Sequence, residues 1–427
     1  MKKLEDFLQD ERNDSVNTGT VLPSRDKSGE EIGSMNTFTF AHMADCHLGA
    51  FREEYLRELN LRAFEKSIDI CIERMTDFIV ISGDLFHRSF PDLAVVRRAV
   101  KKMREAVDEG IRIYLIYGSH DYTANTTSLI DVIGSTGLFK KVFIVDSESN
   151  LNPVVDKETG AELMGISGRT QALEREYYSA ISAIPKGRFN IFLFHTAISE
   201  LRPDYIPQDD SIPQSALPPG FDYYAGGHLH ERLNKDNIYY PGPLFGADFR
   251  DLSARKNRGF YLVHVEGKLA ETEFVTASDA QFSLIDLDFS GIDSKKASEL
   301  LKQQCSGNFS GIVLLNLHGK LSGGSVADIE VNAAKKNIES RGAEFVAVSR
   351  NVTTGERPII ATSGKSREEI ESRLFTEIFG KDTESARALF TELAIDPEEM
   401  NMSKHDFEDA VADRGLRFFG LEGSDDN

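Results

Sequence analysis

From Phe38 to about Val275, short runs of consecutive apolar residues alternate with stretches of helical periodicity. Phe78-Ile79-Val80-Ile81, Ile113-Tyr114-Leu115-Ile116 and Ile191-Phe192-Leu193-Phe194 are strand-length runs with no polar alternation. Such runs predict strands covered on both faces. Between the first two, Leu93, Val96, Val100 and Met103 recur at helical spacing and predict a helix over 92–109. The alternation predicts an α/β domain of layered sheets flanked by helices, over 35–278.

A small α+β cap is predicted over 279–355. Phe282–Ile285, Ile312–Leu317 and Phe345–Val348 read as strands, and Ser294–Gln304 and Val326–Ser340 as helices. Residues 356–365, with Pro358 and Gly364, read as a linker. Residues 366–427 read as helical: Ile370, Leu374, Phe375, Ile378 and Phe379 form one stripe that Gly380 can stop. Residues 1–34 read as a polar tail without a core of its own.

Composition narrows the class. Hydrophobic content of 40% and charged content of 28% describe a soluble globular protein. No apolar run approaches the ~20 residues that span a bilayer, so no membrane association is expected. The acidic start at Glu5-Asp6 lacks a signal core, and Cys46, Cys71 and Cys305 show no metal or redox spacing. A cytoplasmic protein is the expectation. The net charge of −20 argues against wrapping nucleic acid with the whole surface, though not against a local basic patch.

The candidate chemistry lies in five motifs in fixed order, each after an apolar run. They are Asp45-Cys46-His47, Gly83-Asp84, Gly118-Ser119-His120-Asp121, His195 and Gly227-His228-Leu229-His230. Imidazoles and carboxylates at strand ends are what a site for two divalent ions needs. In an extended segment the period of two would put Asp45 and His47 on one side, with Cys46 behind them. The same spacing applies to His228 and His230, and Gly226-Gly227 allows a sharp turn there. Asp84 is placed to bridge two ions. Asp121 is placed to orient His120, which suits a proton donor or a phosphate contact. Each motif alone is weak; their ordered occurrence is what carries the reading.

This order resembles that of the calcineurin-like metallophosphoesterases, a layered β-sandwich flanked by helices. More narrowly, Ser82-Gly83-Asp84-Leu85-Phe86-His87, Tyr240-Pro241-Gly242-Pro243-Leu244 and Arg258-Gly259-Phe260-Tyr261-Leu262-Val263 are similar to the break-repair nuclease subunits of the Mre type, called SbcD in bacteria. The resemblance covers roughly 37–266. It implies a Mn-dependent 3′–5′ double-strand exonuclease and single-strand endonuclease with two Mn2+ per chain. It assigns Asp45, His47, Asp84 and His230 to the first ion. Asp84, Ser119, His195 and His228 go to the second, and His120 and His87 to the scissile phosphate. Ser119 departs from the family's Asn, whose carbonyl is the better ligand. The resemblance further implies a homodimer through 92–103 and 128–138, DNA as a partner, and a coiled-coil, SMC-like ATPase bound by the 370–379 stripe. Arg52, Arg250, Arg255, Lys256 and Arg258 are candidate DNA contacts. A small-molecule phosphodiesterase and, because of Ser119, a weakly active scaffold subunit are the alternatives.

Overall fold

In the computed structural model, residues 37–354 are described apart from 122–127, 143–149, 169–173, 175–177, 179–181, 184 and 255; residue 387 is described as well. The polar tail, the linker and the 366–427 segment with Ile370, Leu374, Phe375, Ile378 and Phe379 therefore lie outside the described residues, residue 387 excepted.

The chain lays down β1 (Thr37–Met43), α1 (Glu54–Glu73), β2 (Phe78–Ser82), α2 (Leu93–Asp108), β3 (Arg112–Ile116), α3 (Leu129–Gly134) and β4 (Lys140–Lys141). It continues with β5 (Val154–Val155), β6 (Ala161–Ile166), β7 (Phe189–His195), β8 (Tyr223–Gly227), β9 (Leu233–Lys235), β10 (Ile238–Tyr240) and α4 (Phe249–Ser253). Then come β11 (Gly259–Glu266), β12 (Leu269–Thr276), β13 (Phe282–Asp288), α5 (Ser294–Gln304), β14 (Ile312–Leu321), α6 (Val331–Ser340) and β15 (Phe345–Thr354).

Two six-stranded sheets result, ordered β12–β11–β1–β2–β3–β4 and β9–β10–β8–β7–β6–β5. β1 to β4 run parallel, as do β6, β7, β8 and β10. The continuous apolar runs have the predicted cause. Phe40, Phe78, Val80 and Tyr114 of the first sheet meet Phe189, Ile191, Leu193 and Tyr223 of the second in one buried cluster. The alternate residues Ala41, Met43, Ile79 and Ile81 face the other way, into the cluster with α1 and α2. A strand with apolar neighbours on both faces has no polar alternation to show.

Helix α2 begins where expected, with Asp92 accepting from the Ala94 N–H at 2.7 Å as its N-cap. Its buried face differs from the predicted stripe. Val95, Ala99, Met103 and Ala106 are buried, whereas Leu93 is 77% exposed and Val96 and Val100 are half-buried. Ala99 and Ala106 share the buried face with Val95 and Met103, and Val96 and Val100 pack against the edge of the same cluster.

The third sheet, β13–β14–β15, covers α5 and α6 with one face, through Val313, Leu315, Leu301 and Ile338. Ile312, Leu314 and Ala347 on its other face join the cluster beside α1. There Tyr55 stacks on Phe345 at 5.0 Å and donates to Glu344 at 2.8 Å. Where one helix was expected over Val326–Ser340, a 3-10 turn at Val326–Asp328 precedes α6. Among the described residues no helix is long and apolar enough to cross a membrane.

Candidate metal centre

Asp45 and His47 follow β1, Asp84 follows β2, His120 follows β3, His195 ends β7, and His228 and His230 follow β8. Parallel strands thus deliver the motifs to one edge of the sandwich, at carboxyl ends, where open α/β sheets place ligands.

The local backbone is not the extended one expected. Asp45 (φ 50°), His47 (φ 42°), Asp84 (φ 53°) and His228 (φ 86°) are all left-handed. Non-glycine residues held there cost on the order of 1–3 kcal/mol each and persist only when their surroundings fix them. Backbone bonds do so: Asp45 N–H to Gly83 O (3.1 Å), His47 N–H to Asp84 O (2.9 Å) and Leu48 N–H to Leu85 O (3.0 Å). The turn after β8 falls on His228, not on Gly226-Gly227. Those glycines permit close approach: a Cβ at Gly227 would lie 2.0 Å from Ser82 O and 2.7 Å from His195 Nδ1.

Two sets of side chains that include Asp45 converge, beside a third of His47, His87 and His120. The ligand atoms of Asp45, Asp84 and His195, those of Asp45, His47 and His230, and those of His47, His87 and His120 lie within 4.8 Å of one another in each set. His47 Nε2 is 3.0 Å from His230 Nε2 and 3.6 Å from Asp84 Oδ2, and His195 Nε2 is 3.2 Å from Asp84 Oδ2. The Nδ1–H of His195 donates to Ser82 O at 2.8 Å, which turns its Nε2 inward. Asp45 Oδ2 and His195 Nε2 are both buried without a hydrogen-bond partner. Buried polar atoms are seldom left so, and a divalent cation would satisfy both. The residues therefore fit a metal.

The electrostatics agree. Burial pushes Asp45 up to about 6 against the pull of His195 and His230. Burial also pushes Asp84 up, but His195, His47 and His120 outweigh it and hold the carboxyl well below its usual range. His195 is raised to about 10 against its own burial by Asp84 and Asp45. The pocket demands positive charge between its carboxylates, which an ion supplies in place of a proton. Burial holds His47 well below its usual value and lowers His228 to about 3, keeping both neutral as ligation requires.

The other candidates fall around this pair of sets. The His228 ring is 5.3 Å from that of His195, and the His228 backbone N–H donates to Asp45 Oδ1 at 2.8 Å. Ser119 is half-buried in the loop after β3. His120 is exposed; its Nδ1–H donates to His87 O at 2.7 Å, which leaves Nε2 free. The His87 and His120 rings stack at 5.1 Å. Asp121 does not orient His120. Its carboxylate accepts the N–H groups of Leu85 (3.2 Å), Phe86 (3.1 Å) and Gly118 (3.0 Å), tying the Asp84 loop to the His120 loop. Cys46 is buried, with its thiol pushed well up by burial, as a residue behind the site should be.

Of the basic residues, Arg52, Arg250 and Lys256 are exposed. Arg250 lies 4.3 Å over the Tyr205 ring, and Lys256 pairs with Glu231 at 2.8 Å. Arg255 lies outside the described residues. Arg258 does not face solvent: its side chain is 10% exposed, donating to the carbonyls of His230 and, at 2.8 Å, Asp251.

Two participants were not expected. Asn60 of α1 is buried; it donates to Cys46 O at 3.0 Å and accepts from Gly49 N–H at 3.3 Å, bracing the first motif. Its signal was a lone amide on the buried stripe Leu56, Asn60, Phe64. Asp251 accepts from His230 Nδ1–H at 2.7 Å. It lies outside every motif, and its spacing from His230 carried no signal.

Residues 38–232 match the Calcineurin-like phosphoesterase family. The chain is 30% identical over 261 residues to the DNA double-strand break repair protein Mre11 of Methanopyrus kandleri, covering 55% of this chain and 56% of that one. It is 30% identical over 250 residues to the Mre11 of Methanococcus maripaludis, covering 53% and 63%. It is also 26% identical over 266 residues to the uncharacterized metallophosphoesterase YhaO of Bacillus subtilis, covering 57% and 62%. The similarity thus spans little more than half the length of these relatives.

Proposed function

We propose, starting from the calcineurin-like metallophosphoesterase domain that this chain carries over residues 38–232, that the protein is a metal-dependent DNA nuclease of break repair. The observation that carries the metal part is the convergence of the buried, partnerless Asp45 Oδ2 with Asp84 and with His195, whose Nε2 lies 3.2 Å from Asp84 Oδ2. Asp45, His47, Asp84 and His230 would hold one ion. Asp84, His195, His228 and, through its hydroxyl, Ser119 would hold the other. Mixed imidazole and carboxylate donors suit Mn2+ better than Mg2+. When bound, such a pair activates a water and neutralises charge on a phosphodiester. The Nδ1–H of His120 is held on His87 O, so in the imidazolium form its remaining proton, on Nε2, would contact the phosphate or pass to the leaving oxygen. His87, stacked on it, limits the ring's rotation.

The likeness to Mre11 proteins supports DNA as the substrate. Arg52, Arg250 and Lys256 are exposed basic residues that can meet its backbone, and the third sheet beside α1 offers surface that a small ester does not need. We assign 366–427 to binding a coiled-coil ATPase. We also read the exposed apolar residues Phe90, Leu93 and Val132, at 74%, 77% and 54%, as a contact between two copies of the chain. Ile130 and Ile133 of the 128–138 segment lie in the core instead.

The test is incubation with Mn2+ and labelled duplex or single-stranded DNA, beside a bis-aryl phosphodiester. Cleavage of DNA that EDTA abolishes is expected. Hydrolysis of the small ester alone would favour a small-molecule phosphodiesterase, and no hydrolysis of either would overturn the reading.

A further inference from the structure

We propose that Asp251 is a positioning residue for the metal centre, fixing His230 as the Nδ1–H tautomer so that Nε2 is presented beside His47 and Asp45. The proposal rests on the metal-centre reading above and concerns a residue that lies beyond the family match at 38–232.

The geometry is that of a closed clamp. Asp251 Oδ2 accepts from His230 Nδ1–H at 2.7 Å and from Ala247 N–H at 2.8 Å. Its backbone N–H donates to Asp248 Oδ1 at 2.8 Å, so the N-cap of α4 fixes where it sits. Asp251 is 4% exposed. Arg258 closes the clamp, with Nη1 on the His230 carbonyl and Nη2 on the Asp251 carbonyl at 2.8 Å. Ring and backbone of one histidine are thus held from a single short segment.

The two buried imidazoles differ in this respect. His195 is oriented by a backbone carbonyl, Ser82 O, which no side-chain substitution removes. His230 depends on a carboxylate. A carboxylate behind a ligating imidazole fixes its tautomer and raises its basicity. Without Asp251 the neutral ring is free to carry its proton on Nε2. That proton would point at His47 Nε2, 3.0 Å away, and deny the ion its lone pair. The effect should therefore be selective. The ion at Asp45, His47, Asp84 and His230 depends on Asp251, whereas the ion at Asp84, His195 and His228 does not.

The experiment is Mn2+ titration by calorimetry on the full chain, with no DNA, for Asp251→Leu, Asp251→Asn, His230→Ala and the double variant His230→Ala/Asp251→Leu. Asp251→Leu keeps the branched shape but not the acceptor, and should weaken one of two Mn2+ by about 10- to 100-fold. Asp251→Asn retains a carbonyl acceptor, so it should recover most of that loss; it also carries the test should the Leu variant not fold. In the His230→Ala background Asp251→Leu should add nothing. Wild-type affinity at both sites in Asp251→Leu, with one site lost in His230→Ala, would overturn the proposal. So would an Asn variant as weak as Leu, or losses that add in the double variant. Two ions bound at wild-type affinity by His230→Ala would instead overturn the metal-centre reading beneath it.

Discussion

Gly118→Ala should disable the metal centre through one methyl group. Gly118 follows β3, and its φ is not left-handed, so the backbone itself accepts alanine. The obstacle is space. The added Cβ would lie 2.0 Å from Asp84 Oδ1 and 2.3 Å from the Asp84 backbone nitrogen. A carbon–oxygen contact needs roughly 3.3 Å, so a gap of roughly 1.3 Å must open between the β2 and β3 loops. Ligand distances tolerate only about ±0.2 Å, so the displaced carboxylate is lost as a bridge. Overpacking costs about 1–3 kcal/mol. The bond from His120 N–H to Asp84 Oδ1, at 2.9 Å, is lost as well, at about 1.5–3 kcal/mol for a charged acceptor. The expected loss of folding stability is therefore about 2.5–6 kcal/mol, read by urea unfolding in EDTA. Mn2+ affinity, read by calorimetry, should fall at least about 100-fold, or about 2.7 kcal/mol. Gly307→Ala, with nothing near its Cβ, is the neutral control. A Gly118→Ala protein that binds Mn2+ like wild type would refute the reasoning.

Ser119→Asn should lower the Mn2+ concentration needed for activity, since an amide carbonyl is a better donor than a hydroxyl; an unchanged requirement would mean that Ser119 already completes the site. His42 is buried between the sheets with Tyr223 Oη at 2.9 Å and Ser82 Oγ at 3.2 Å, and burial lowers it to about 3. Its folded value lies below the unfolded one near 6.5, so its contribution is intact above that pH and fades as pH falls towards 3. The slope is up to about 1.4 kcal/mol per pH unit, and urea midpoints of His42→Gln measured against pH should lack it. The double variant Leu93→Glu/Val132→Glu should convert a sedimenting dimer into a monomer without changing the thermal midpoint at low concentration; an unaltered dimer would place the contact elsewhere.

The strands were legible because burial on both faces writes itself as unbroken apolar runs, as at Phe78–Ile81 and Ile191–Phe194. Asp45, His47, Asp84, His195 and His230 were legible as residue types at strand ends, which is chemistry that spacing can carry. How they reach one another was not. The Asp-x-His pattern suggests an extended segment, yet both residues are left-handed, a state fixed by bonds to a loop some 40 residues away. Gly226-Gly227 suggests a flexible turn, yet its purpose is a close approach of β8 to β2 that only three dimensions reveal. Asp121 adjoins His120 in sequence but turns to backbone amides of another loop. Arg258 reads as one more loop charge, and its burial depends on Asp251 and on the His230 carbonyl. On α2 the apolar residues outnumber what one face can hold, so periodicity alone could not choose between the Leu93 and Val95 stripes.

A two-ion centre built around Asp84 shows itself in metal stoichiometry. After equilibration with excess Mn2+ and removal of free ion, wild-type protein should retain two Mn2+ per chain by elemental analysis. Asp84→Ala should retain neither, because Asp84 lies 3.2 Å from His195 Nε2 and 3.6 Å from His47 Nε2 and is assigned to both ions. A folded Asp84→Ala protein that keeps both ions would contradict the account.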